Sequence, residues 1–292
     1  MKTHSHVRFQ VLAALVVIGI AVPCHAQIGI SLKSRFDKYL RYEPIEMIVT
    51  LRNYSGNTLV FGGTDRKQGH LDFMVTSHAN FTVPQIDRAA NPVQDLILGA
   101  GETRQLKLRL NKIYDLQREG SYTVQCQIGH ERQENDYRSN SITINVSKGN
   151  VVIFRRVGTP TTSTTERIKE VTASLVMFHD NHGAMYCLRV EDDRFVYDTI
   201  RLGPYIQNAK PEMDADSTSD IHILIMVRAR LYSYSIYSVA GGAVKLRQQL
   251  YYASEPNIPH LSRKSGFLKV SGGRVAVEGK DYELMQPAKA ER

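Results

Sequence analysis

From Ile28 to Val146 apolar and polar residues alternate with a period of two, and hardly any stretch keeps a helical period beyond two turns. That spacing sends successive side chains to opposite faces, so these segments suit half-buried β-strands. Ile45, Met47, Val49 and Leu51 share one face, while Glu46, Ile48, Thr50 and Arg52 share the other. Asn53-Tyr54-Ser55-Gly56-Asn57 supplies turn chemistry before Leu59, Val60 and Phe61 resume a strand. Gly99-Ala100-Gly101-Glu102 is a second turn, followed by alternating Leu106, Leu108 and Leu110. Tyr122 to Ile128 and Ile142 to Val146 read as the closing strands. About seven short strands in about 120 residues, separated by turns, is the spacing of a β-sandwich.

Two local patterns refine this. Gly120-Ser121-Tyr122 sets a tyrosine at the mouth of a late strand, where a phenol can close a hydrogen bond to upstream backbone as in a tyrosine corner. Tyr39-Leu40-Arg41-Tyr42-Glu43-Pro44-Ile45 leads into the alternating strand that ends at Asn53. With Gly101-Glu102 and the closing Ser139-Asn140-Ser141-Ile142 segment, these residues resemble the immunoglobulin-like domains of extracytoplasmic bacterial proteins, including macroglobulin-type modules. The resemblance covers residues 27–148 and implies a fold, with a role as spacer, docking surface or inhibitor. The disulfide cysteines and core tryptophan of an antibody domain are missing, since the chain has no Trp.

Residues 1–26 carry Lys2 and Arg8, then the apolar run Val11 to Val22, then Pro23-Cys24-His25-Ala26 with small residues at the −3 and −1 positions of a cut after Ala26. This is the layout of a secretory signal peptide. As a helix, the run spans about 18 Å, short of the roughly 30 Å of a hydrocarbon core. Pro23 stands where lipid attachment to Cys24 requires a small residue. The reading is a secreted or periplasmic protein with no transmembrane segment after cleavage. The formal charge of +8 falls to +6 once Lys2 and Arg8 are removed. That excess favours anionic surfaces, but no clustered Lys/Arg stripe suits nucleic acid. Cys126 and Cys187 remain, one in each half; they read better as two buried thiols than as an interdomain disulfide.

Gly158 to Thr165 is polar and Thr-rich and reads as a linker between domains, with 149–167 taken as a strand plus that linker. Beyond it, residues 174–213 superimpose on 222–261 at an offset of 48: Leu175-Val176-Met177-Phe178 on Ile223-Leu224-Ile225-Met226, Tyr186 on Tyr234, Leu202 on Leu250, and Pro211-Glu212-Met213 on Pro259-His260-Leu261. Each copy resembles one blade of a secreted β-propeller. A ring takes at least four blades of about 40 to 50 residues, and only two copies fit, with a partial third from Pro259 to Val277. The expectation over 168–285 is therefore a repeat-built antiparallel β-domain whose copies pack on each other or assemble across chains, with a disordered tail at 286–292.

Asp214, Asp216, Thr218 and Asp220 put oxygen at alternate loop positions, as Ca²⁺ ligation demands, though the Gly and distal Glu of a calcium loop are missing. His179-Asp180-Asn181-His182 reads as a surface turn rather than a metal site. Tyr232, Tyr234 and Tyr237 with Arg228, Arg230, Tyr251 and Tyr252 form an aromatic and basic neighbourhood that is either a binding face or strand packing. No nucleophile elbow, zinc-protease, P-loop or dinucleotide motif occurs. The reading is an all-β, non-catalytic binding or scaffolding component of the cell envelope, whose partner is a protein or an anionic envelope polymer. A hydrolase of envelope polymer, or its accessory subunit, is the alternative, and a protease inhibitor the weaker one. The sequons at Asn53, Asn80 and Asn145 matter only in a host that glycosylates them.

Overall fold

The computed structural model describes residues 28–62, 69–79, 81–88, 91–131, 135–160 and 168–283. Residues 1–26, read above as a signal peptide, Asn80, the Thr-rich residues 161–165 and the tail at 286–292 lie outside these. The chain is all-β, and all but one of the pairings between its strands are antiparallel. Among the described residues no helix is long and apolar enough to cross a membrane.

The first half comprises β1 (Ile28–Ser34), β2 (Lys38–Leu40), β3 (Glu46–Asn53), β4 (Leu59–Val60), β5 (His70–Ser77), β6 (Ile97–Leu98), β7 (Thr103–Arg109), β8 (Gly120–Gly129), β9 (Tyr137–Arg138) and β10 (Ile142–Ser147). One sheet runs β1-β3-β7 and the other β2-β10-β8-β5, with β9 on β8 and a short β4-β6 ribbon. The chain changes sheet between β1 and β2, and β2 pairs parallel with the last strand, β10. The alternation does the folding. Met47, Val49 and Leu51 from one sheet and Tyr122, Val124, Cys126 and Ile128 from the other are all fully buried in a single core. Each buried aliphatic side chain stabilises by about 1.5–3 kcal/mol, and a one-residue register slip would turn the whole set to solvent. The tyrosine corner forms: Tyr122 Oη donates to the Arg118 carbonyl at 2.6 Å. Asn53 is fully buried and its amide donates to the carbonyls of Asn57, Leu98 and Gly99, so in the folded chain this sequon is spent on the turn.

The second half contains β11 (Asn150–Pro160), β12 (Ile168–Asp180), β13 (Gly183–Glu191) and β14 (Val196–Pro204), a four-stranded antiparallel meander. A second meander follows: β15 (Glu212–Ala215), β16 (Ile221–Arg228), β17 (Leu231–Ala240) and β18 (Ala243–Ala253). The hairpin β19 (His260–Lys264) and β20 (Phe267–Ser271) comes next, and β21 (Arg274–Val275) joins the second sheet beside β18. The offset of 48 maps the start of β13 onto β17 and of β15 onto β19. The turn between β17 and β18 is two residues, Gly241 and Gly242, with φ of 59° and 76°; a tight hairpin with positive φ at both positions favours glycine.

The structure corrects the linker. Gly158, Thr159 and Pro160 pair with Glu170, Lys169 and Ile168, so the Thr-rich stretch joins two strands of one sheet. Lys148 and Gly149 are what separate the sandwich strands from the meanders. A hairpin loop and an interdomain linker share a polar composition because neither has anything to bury.

The two meanders pack face to face. Val171, Ala173, Leu175, Leu188 and Val190 of the first meet Ile221, Ile223, Ile225 and Tyr237 of the second in one core. The opposite face of the first meander, carrying Val176, Phe178 and Cys187, rests on Leu40 of the sandwich strands. The opposite face of the second, carrying Leu224, Tyr232 and Tyr234, is covered by Leu261 and Val270 of the β19-β20 hairpin. Two blade-like units thus make a closed stack without a ring, because other parts of the chain cover both outer faces.

Candidate functional site

The stack meets the sandwich at a joint built on Arg201 of β14. Its Nε donates to Glu43 Oε1 at 2.6 Å, Nη1 to Asp180 Oδ2 at 2.9 Å, and Nη2 to the Lys38 carbonyl at 2.7 Å. The guanidinium also lies 3.6 Å from the centroid of the Phe36 ring. The carboxyl groups of Glu43 and Asp180 are 6% and 5% exposed, so the cation neutralises two buried anions from different halves of the chain. Burial works to lower the Arg201 pKa, and the hydrogen bonds and charge of Glu43, with the charge of Asp180, outweigh it and raise it.

Beside this joint opens a cleft of about 420 Å³. Its sandwich wall carries Tyr42, Glu43, Ile86, Tyr114, Asp115 and Gln117, and its meander wall carries Glu191, Asp192, Asp193, Arg194 and Phe195. Tyr42 holds a left-handed backbone with φ of 72° in the turn where Glu43 N–H donates to the Leu40 carbonyl. A non-glycine residue there is strained by about 1–3 kcal/mol, a cost that recurs at binding sites. Phe195 is 64% and Ile86 59% exposed at the rim. Asp192 has a carboxyl only 1% exposed, paired with Lys169 and hydrogen-bonded by Tyr197. Its Oδ1 takes the backbone N–H groups of Arg194 and Phe195, both at 2.7 Å. The hydrogen bonds from Lys169 and Tyr197 hold Asp192 far below the usual carboxylate range, and the same contacts push Lys169 up. Glu191 is held by Arg189 at 3.0 Å. Asp193 is exposed beside Arg194 at 3.7 Å, and Asp115 accepts from the Gln117 N–H. The cleft is acidic, rimmed by aromatic and aliphatic groups, and its deepest carboxylate is held ionised.

The residues singled out from sequence go elsewhere. Tyr232 and Tyr234 lie on the hairpin face of β17, 7% and 5% exposed, and Tyr237 on the opposite face within the inter-sheet core. Arg228 and Arg230 are exposed beyond them at the turn. The three rings therefore pack cores on two sides of one strand and share no open face. In the loop read for Ca²⁺, Asp214 pairs with Arg155 and Arg263, and Asp220 with Arg247. Asp216 Oδ1 takes Thr218 and the Asp220 N–H, and its Oδ2 meets His222 Nε2 at 3.2 Å. Among the described residues no group of three or more His, Cys, Asp or Glu is arranged to hold a metal ion. His222 Nδ1 is 2.6 Å from Tyr234 Oη; with Nε2–H donating to Asp216, Nδ1 is left to accept from the phenol. Cys126 and Cys187 are free and buried in separate cores, and burial pushes the Cys187 thiol up to about 12. Asp180 of the His179-to-His182 turn serves the joint.

Sequence reasoning missed the cleft and its joint. Arg201 binds partners 158 and 163 residues away, and no spacing rule reaches that far. No protein-family model matches this chain, and no curated protein is significantly similar to it in sequence.

Proposed function

We propose that this chain is a non-catalytic binding component of the bacterial cell envelope, exported to the periplasm or beyond, that holds a cationic group of a protein partner in the cleft between its immunoglobulin-like sandwich and its first meander. The observation that carries this reading is the cleft, which is acidic and part-aromatic and is framed by an ion-paired joint that sets its width in advance. Preformed clefts of about 300–1,000 Å³ between domains are common ligand sites. Carboxylates beside aromatic rings suit an ammonium or guanidinium group. The strand order supports the immunoglobulin-like assignment: β1, β3 and β7 stand as A, B and E, and β5, β8 and β10 as C, F and G.

The hydrolase reading needs one carboxyl group kept protonated as a general acid. The contacts on Asp192 pull in the other direction. Because the chain has no Trp, Phe195→Trp places a single fluorescent reporter at the rim. Titration with tri-lysine amide should give a saturable, salt-sensitive change, weakened several-fold by Asp115→Asn with Asp193→Asn, and the peptide should be recovered intact by mass spectrometry. An unsaturable signal, or one indifferent to the two substitutions, would overturn the cleft assignment. Cleavage of the peptide would overturn the non-catalytic one.

A further inference from the structure

A second depression, of about 740 Å³, runs between the two meanders on the side where both begin. It is lined by five consecutive residues of β11, Val152 to Arg156, and five from Lys210 into β15, Lys210 to Asp214. Consecutive residues alternate between the faces of a strand, so a wall made of such a run is a strand edge. Both strands are terminal in their sheets: β11 pairs with β12 alone and β15 with β16 alone. A free edge is a row of N–H and C=O groups open to a further strand, and five residues of it span about 17 Å.

The side chains along this edge select what can be added. Val152 and Phe154 are 45% and 59% exposed, an apolar surface with no cover among the described residues. Around it stand four cations and two anions. Arg155 and Arg263 both bind Asp214, at 3.1 and 2.8 Å, and the Glu212 carboxylate takes the Leu261 N–H. Arg156 touches Glu170 at 3.6 Å with both side chains well exposed, and Lys210 has no acidic partner among the described residues. The surplus charge is therefore positive. A second copy of this chain fits poorly, because antiparallel pairing of β11 with itself about its midpoint sets Arg155 opposite Arg155, and like charges directly across a ladder repel. The register shift at Val152 and the Arg155 guanidinium on the Phe154 carbonyl further blunt indiscriminate pairing.

We propose that the trough between β11 and β15 takes an extended acidic segment of a protein partner, added as a strand to the free edge of β11, with apolar residues on the face of Val152 and Phe154 and carboxylates on the opposite face, toward Arg155 and Lys210. The site is separate from the acidic cleft and does not rest on it. Main-chain pairing supplies affinity in this mode, and alternate side chains supply selection.

The probe is a fluorescein-labelled alternating peptide, acetyl-(Glu-Val)4-amide, titrated by anisotropy into the chain from residue 27. It should bind with a salt-dependent Kd. Phe154→Asp, and separately Lys210→Glu, should each weaken it at least tenfold; both positions are exposed, so folding is spared. The (Lys-Val)4 peptide, and a version N-methylated at alternate residues so that it cannot pair along a strand edge, should fail to bind. Equal binding of the N-methylated peptide or of inorganic polyphosphate would show a charge-only surface and overturn the proposal. So would undiminished binding to the variants, or no binding of the (Glu-Val)4 peptide. Asp115→Asn with Asp193→Asn should leave this titration unchanged, which keeps its outcome distinct from that of the cleft.

Discussion

Arg201→Met tests the joint most sharply. The guanidinium is the counter-charge of two carboxylates that are 6% and 5% exposed, and its removal strands both in a low-dielectric seam between the sandwich and the first meander. Breaking a buried ion pair by removing one partner costs about 3–5 kcal/mol, mostly the desolvation of the charge left behind. For a chain of this size that is a fall in Tm of roughly 6–20 °C. Arg201→Met with Glu43→Gln and Asp180→Asn should recover much of the loss, since no bare charge remains. Urea unfolding followed by circular dichroism measures both the loss and the recovery. A deficit under about 1 kcal/mol would refute the reasoning.

Tyr122→Phe keeps the ring in the core but deletes the 2.6 Å bond to the Arg118 carbonyl, and we expect a loss of about 1–2 kcal/mol in the same unfolding assay. Burial pushes Tyr234 up to about 12, against an unfolded value near 10, so its contribution is present below pH 10 and is lost as pH rises to 12. Tyr234→Phe should then lower stability by about 1–3 kcal/mol at pH 7, by leaving His222 Nδ1 unsatisfied, while making the alkaline limb of the stability curve shallower. A limb as steep as in the parent would remove Tyr234 as its source. Millimolar Ca²⁺ should leave the melting temperature unchanged, because arginines or loop donors already engage Asp214, Asp216 and Asp220; a rise of several degrees would restore the loop as a calcium site.

What was legible in the sequence was whatever short-range periodicity controls. The buried faces of β3 and β8 follow from alternation, and the bond of Tyr122 from its place after Gly120. What was illegible depends on long-range docking. The Thr-rich stretch has the composition of a linker, and only the pairing of Pro160 with Ile168 reveals it as a hairpin loop. Tyr232, Tyr234 and Tyr237 are close in sequence, but the strand period sends Tyr237 to the opposite face from the other two. The loop acids alternate as Ca²⁺ ligands would, yet arginines brought in from β11, β18 and β19 take Asp214 and Asp220. The cleft joins residues near 42, 114 and 193, and nothing in one sequence announces that these segments meet.

The central structural claim is that two blade-like meanders close within one chain because the sandwich covers one outer face and the β19-β20 hairpin the other. Light scattering on the chain from residue 27 tests it directly. We expect the mass of one chain, somewhat below the 33.0 kDa of the full sequence, constant on dilution. A stable dimer or larger ring that survives dilution would mean that the meanders complete one another across chains, and would contradict the closed stack.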